Sequence, residues 1–187
     1  MSVGFVDTSR NTLPGLDQRG RTGLCADKMR RTALAAVSAD ELADLIRDGV
    51  PLVGGMGVVV EAVGEGKVRL RLPYRGDFVR PGGTVTGPAL FALADVALYG
   101  AVLSLIGRVE LAVTTSMTVN FLRRPAPVAV IADARILKLG KRLAYGEILL
   151  WSDGEPDPVA HVTGTYSIPP HASVTLAPSL HLTDGGV

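Results

Sequence analysis

Nineteen consecutive residues, Pro88 to Ile106 (PALFALADVALYGAVLSLI), are almost wholly apolar, and a single carboxylate, Asp95, stands in their middle. A helix apolar on every side belongs inside a folded structure, where an ionised group is costly unless a partner or a function keeps it. Roughly 20 apolar residues would also cross a bilayer. Against that, five of these residues are alanine, Gly100 and Tyr99 add little lipid affinity, and a central Asp costs about 2.5–3.5 kcal/mol on insertion. The expectation is a helix buried in a sheet protein, with no membrane partner, and Asp95 as its reactive group.

The 187 residues suit one domain with a sizeable core. A net charge of +1 and scattered basic residues provide no extended positive face, which argues against a nucleic-acid partner and for small molecules or another copy of the chain. The single cysteine, Cys25, excludes an intrachain disulfide, and no His/Cys cluster has metal-ligand spacing. The first ten residues have neither a basic start nor an apolar core, so a cytoplasmic location is expected.

Residues 1–37 follow neither the helical nor the strand period and are expected to be weakly held, with Met29 as a possible second start. The folded domain is expected over 38–169 and a loose tail over 170–187. Ser38 with Glu41 three residues on reads as a capping box that opens a helix running to about Arg47, with Leu42, Leu45 and Ile46 as its apolar stripe. Gly57 to Val63 and Lys67 to Tyr74 flank Gly64-Glu65-Gly66 and predict a hairpin. The loop Arg80-Pro81-Gly82-Gly83 leads into the long helix, where Pro88 suits the first turn and Gly107 the end. Four strands are expected after it: Leu111–Leu122, Val128–Leu137, Ala144–Ser152 and Pro158–Ser167. Consecutive strands should pair antiparallel with the long helix against one face, an α+β domain with one dominant helix.

The segment RPGGTVTGPALFALADVALYGA (Arg80 to Ala101), followed by TTSMTVNFL (Thr114 to Leu122), resembles the hotdog-fold acyl-CoA thioesterases of the PaaI-like type. The resemblance covers Ala39 to Pro169. That family's loop has the form N-x-x-G-x-x-H-G-G, with the catalytic Asp or Glu nine positions after the His. Here Gly83, Gly87 and Asp95 match, whereas Arg80 stands at the Asn, Thr86 at the His and Pro88 at the second Gly. The resemblance implies an antiparallel sheet wrapped around one central helix, hydrolysis of thioesters without metal or diffusible cofactor, and dimers or dimers of dimers that hold acyl-CoA at the subunit interface.

Thioester hydrolysis needs donors aimed at a developing oxyanion and a base or nucleophile for the acyl carbon. The Gly87 N–H at the helix start can supply the first and Asp95 the second. Eight helical residues separate them, about 12 Å at 1.5 Å per residue. One carbonyl cannot touch both, so Gly87 of one subunit is expected to face Asp95 of another. The alternative for Gly87 is a glycine that only makes the turn. For Asp95 it is a structural hydrogen bond or a salt bridge with an Arg.

Thr114 stands where the resemblance implies a Ser or Thr near the carboxylate, and an ordinary strand threonine is its alternative. Tyr99, one turn after Asp95, is placed to bond the carboxylate, line an acyl pocket or pack in the core. Thr86 suits a helix cap. Arg80 could lie near the thioester carbonyl or pair with Asp95 across the interface. Lys138, Lys141 and Arg142 surround a strand turn where the resemblance implies contacts with the phosphates of CoA, solvated cations being the alternative. Phe78, Phe91 and Leu98 are pocket or core residues, Trp151 and Tyr166 sheet or core residues, and the three histidines carry no assigned role. The competing reading is an acyl-CoA binding protein without catalysis. A hotdog hydratase or dehydratase is weaker, because no His lies near the helix.

Overall fold

The structure, a computed structural model, describes residues 35 to 170; the expectations for residues 1–34 and for nearly all of the tail lie outside that range. Helix α1 (Ala39–Gly49) begins as its sequence predicts. Ser38 Oγ accepts from the Glu41 N–H at 3.2 Å, and Glu41 Oε2 accepts from the Ser38 N–H at 2.8 Å, which satisfies two otherwise unpaired donors. Leu42, Leu45 and Ile46 are buried. A second short helix, α2 (Pro51–Met56), follows at once and was not expected. Pro51 favours its first turn, and Gly57, at φ 74°, ends it. Val37, in the stretch read from sequence as weakly held, is buried, and the Ala36 N–H donates to Ser104 O at 2.8 Å.

Strands β1 (Val59–Gly64) and β2 (Lys67–Leu72) make the expected hairpin. Strands β3 (Val79–Arg80) and β4 (Thr84–Val85) form a small ribbon around the glycine loop, where Gly82 and Gly83 adopt φ of 96° and 76°. Such angles are open to glycine and strained for other residues. The long helix, α3, spans Gly87–Ile106, and Gly107 ends it with φ 79°. Then come β5 (Val113–Phe121), β6 (Val130–Leu139), β7 (Leu143–Ser152) and β8 (Pro158–Ser167).

These six longer strands form one antiparallel sheet in the order β1-β2-β6-β7-β8-β5. Consecutive pairing therefore holds for β1/β2, β6/β7 and β7/β8, but not for β5 and β6. The physical reason is that α3 carries the chain from the β1–β2 side of the sheet to the opposite edge, where β5 lies, and the link after β5 returns it to the middle beside β2. β5 pairs with β8 at one edge, and β6 lies beside β2. The result is the hotdog arrangement, a sheet wrapped around α3.

Inward positions of the sheet alternate with charged outward ones. Val68, Leu70 and Leu72 face the helix from β2, while Arg69 and Arg71 face out towards Glu61, Asp133 and Asp153. Exposed pairs of this kind contribute about 0–1 kcal/mol each, so stability rests on the apolar side. There the sheet presents small residues, Ala132, Ala134, Ala144, Gly146, Ala160 and Gly164, beneath the helix. Leu98 of α3 sits above the two glycines. A Cβ on Gly146 would lie 2.6 Å from Leu98 Cδ1 and 2.7 Å from the Arg135 carbonyl oxygen, and one on Gly164 would lie 2.7 Å from Leu98 Cδ2. On the other side of α3, Leu42 of α1 closes over Gly100, where a Cβ would meet Leu42 Cδ2 at 2.8 Å.

Two stability predictions follow from this packing. Gly146→Ala should cost about 1–3 kcal/mol, as overpacking against a backbone carbonyl does, seen as a lower denaturant midpoint at unchanged slope; wild-type stability would refute the close approach. Ser38→Ala should cost about 1 kcal/mol in the same titration, through loss of the α1 cap.

Candidate active site

α3 is not buried on all sides. Pro88, Phe91, Asp95 and Tyr99 form a partly open stripe at helical spacing, whereas Leu93, Ala94, Ala97, Leu98 and Ala101 are buried against the sheet and α1. Asp95 is thus half-buried at the rim of the core rather than at its centre. It forms no salt bridge with any described residue. Its partners are two hydroxyls. Thr114 Oγ1 donates to Asp95 Oδ1 at 2.6 Å, and Tyr166 OH lies 2.8 Å from the same Oδ1 and 3.1 Å from the Asp95 main-chain oxygen.

The sheet brings these hydroxyls together through a bulge. Met117 and Val119 of β5 pack on the core, so strict alternation would turn Thr115 inward with them and Thr114 outward. The register slips between Thr114 and Ser116: Thr114 opposes Tyr166, and Ser116 opposes Thr165. The extra residue, Thr115, donates its hydroxyl proton to Thr165 O at 3.0 Å, and Thr114 is re-aimed at the helix. Tyr166 follows Val162 and Gly164 on the inward face of β8. Burial, and next the negative charge of Asp95, push its phenol far above the usual tyrosine range, so it stays protonated and able to donate.

Asp95, Thr114 and Tyr166 line a cavity of about 450 Å³ whose other walls include Leu45 and Val53 of α1 and α2, Val96 and Tyr99 of α3, and Val113. Tyr99 does not bond the carboxylate. Its hydroxyl points at Glu110 O, 3.5 Å away, and its ring lies 6.1 Å from that of Tyr166, tilted by 32°. Burial, then the Glu110 charge, raise the Tyr99 phenol above its ordinary value.

The remaining residues singled out from sequence lie elsewhere in the chain. Gly87 opens α3 without a left-handed φ, so the turn itself does not require glycine there. What is close is the Phe121 ring, 3.3 Å from where a Cβ would stand. Thr86 occupies the N-cap position, but its side chain makes no capping hydrogen bond, contrary to expectation. Arg80, on β3, is exposed and pairs with no described carboxylate. Arg142 and Lys141 lie in the β6–β7 turn and Lys138 beside it, all exposed. This turn sits at the Asp95 end of the sheet: the Ile168 N–H, two residues beyond Tyr166, donates to Arg142 O at 2.8 Å. Leu98 belongs to the core. Among the described residues no group of three His, Cys, Asp or Glu side chains could hold a metal ion.

Tyr166 is the site residue that sequence reading missed. A buried tyrosine needs a partner for its hydroxyl, and Asp95 is the one charged acceptor on the helix that its strand faces, but the register that joins them depends on the bulge.

The arrangement can be compared with known proteins. A sequence model of the thioesterase superfamily matches residues 82–159, from the glycine loop into β8. A Halobacterium salinarum protein named "putative esterase" is 32% identical over 148 residues, covering 72% of this chain and 97% of its own length. A crystal structure of a "putative thioesterase" from Silicibacter sp. is 43% identical with a TM-score of 0.67, covering 75% of this chain and 97% of that one. A mutant of the phenylacetic acid degradation protein PaaI from Thermus thermophilus is 28% identical with a TM-score of 0.57, covering 64% and 99%. With a hotdog sheet around a carboxylate-bearing helix and relatives matched over almost their whole length, this chain belongs to the thioesterase superfamily.

Proposed function

We propose that the protein hydrolyses small to medium acyl-CoA or aryl-CoA thioesters to the free acid and CoA, at sites formed between two copies of the chain. The observation that carries this reading is Asp95: a carboxylate on the open stripe of α3, held through one oxygen by two hydroxyls at the wall of a mainly aliphatic cavity. Oδ2 accepts from no described residue and is the oxygen available for chemistry.

In the proposed reaction Oδ2 either takes a proton from water, whose oxygen then bonds the acyl carbon, or attacks that carbon itself to give a mixed anhydride that water then hydrolyses to the free acid and the Asp95 carboxylate. The C–S bond breaks, and the CoA thiolate leaves and is protonated. The developing oxyanion is held by the Gly87 N–H of a second copy, since about 12 Å of helix separates Gly87 from Asp95 within one chain. An uncovered surface supports that second copy. β5 is an edge strand with Val113 56% and Phe121 57% exposed, and Phe91 of the α3 stripe is 44% exposed. Open edges and apolar patches of this kind are surfaces that association covers. The cations of the β6–β7 turn, at the Asp95 end of the sheet, are suited to the phosphates of CoA.

Thiol release from short, medium and aryl acyl-CoAs tests the reading. Asp95→Asn should lower turnover by about 10²–10⁴-fold, the range of a lost general base, with the fold intact; unchanged hydrolysis would defeat it. CoA binding without product release would instead favour a non-catalytic acyl-CoA binder, the reading to which Arg80 and Thr86 at the family's Asn and His positions point. Lys141→Ala with Arg142→Ala should weaken CoA binding and flatten its salt dependence in equilibrium titrations, and equal affinity would remove the phosphate role.

A further inference from the structure

We infer that Tyr166 is a positioning residue for the Asp95 carboxylate: with Thr114 it occupies Oδ1 and so leaves Oδ2 as the oxygen that reacts. The inference rests on the proposed reactive role of Asp95. A carboxylate has two equivalent oxygens and a freely turning side-chain bond unless something distinguishes them. Here the distinction is geometric, because both hydroxyls converge on Oδ1, at 2.6 and 2.8 Å, and Tyr166 also reaches the Asp95 main-chain oxygen at 3.1 Å. The one phenolic proton is thus shared between the side-chain and main-chain oxygens of Asp95, the shorter contact being to Oδ1, so the carboxylate oxygen that Tyr166 meets is set from β8.

A tyrosine serves here better than a second threonine for two reasons. Its ring spans the distance from the sheet to the open stripe while remaining buried, at 3% exposure. Its hydroxyl, kept protonated by burial and by Asp95, can donate but gains nothing by ionising. Thr114, by contrast, is exposed on an edge strand and reaches Asp95 only because of the bulge. Of the two donors, Tyr166 is therefore the one held rigidly by the core. A merely structural tyrosine would satisfy its hydroxyl at any nearby oxygen; this one shares an acceptor with a second hydroxyl on the opposing strand.

Tyr166→Phe removes only the hydroxyl, and thiol release should be measured for it, for Asp95→Asn and for the double variant, at a temperature where circular dichroism shows each one folded. Tyr166→Phe should lower kcat about 10- to 100-fold, the size of one hydrogen bond to a charged group, with KM changed less than about two-fold, as befits loss of an interaction in the reacting state. In the Asp95→Asn background the same change should have no further effect on the residual rate. Wild-type kcat in Tyr166→Phe, a rise in KM alone, or the full loss repeated in the Asp95→Asn background would each overturn the inference. An active Asp95→Asn would instead overturn the reading of Asp95 on which it rests, so the two failures are told apart.

Discussion

The seat of Leu98 on Gly146 and Gly164 sets how close the central helix comes to the sheet, and the candidate site depends on that distance. With Leu98 Cδ atoms 2.6–2.7 Å from where side chains would otherwise start, α3 lies nearer to β7 and β8 than it could above alanines. Asp95 is three residues earlier on the same helix and Tyr166 two residues later on the same strand as Gly164. An added methyl under Leu98 would lift the helix at a point within one turn of the carboxylate, and hydrogen bonds of 2.6–2.8 Å do not tolerate such a shift. Packing and site geometry are therefore one constraint rather than two.

Much of the fold was legible because it rests on local signals. The Ser38–Glu41 capping box, the Gly64–Gly66 turn, the glycine that ends α3 and the alternation in β2 each specify an element from a few neighbouring residues, and all stand in the structure. The partner of β5 was not legible. Strand order is decided by how a long helix delivers the chain to a distant edge, and no residue in β5 encodes it. α2 was missed because six residues, three of them Pro or Gly, carry no helical period.

The site divides along the same line. Asp95 announced itself through its apolar surroundings, and Thr114 through a family spacing, but Tyr166 required the register of β5 on β8 together with a bulge that reverses the expected parity. One shifted residue pair decides whether Thr114 or Thr115 meets the helix. Bulges are invisible to a period-two reading, since they are defined by what two strands do jointly. Thr86 erred in the other direction. Its residue type and position both favour capping, yet the side chain makes no capping bond.

The start of α3, where no side chain caps the helix, gives the departures from the family motif their meaning. A side-chain donor can be replaced by mutation, whereas an N–H at the first turn of a helix is present whatever the side chain, so Gly87 can serve an oxyanion without the family's Asn or His beside it. The glycine itself is not required by backbone angle; a Cβ there would stand 3.3 Å from the Phe121 ring. Arg80 and Thr86 then alter the surroundings of the proposed oxyanion site rather than abolish it. Asp95, fixed from the sheet by Thr114 and Tyr166, owes nothing of its geometry to either position. The proposed chemistry thus rests on the backbone at one end of α3 and on sheet register at the other, and neither depends on the residues by which this chain departs from the family pattern.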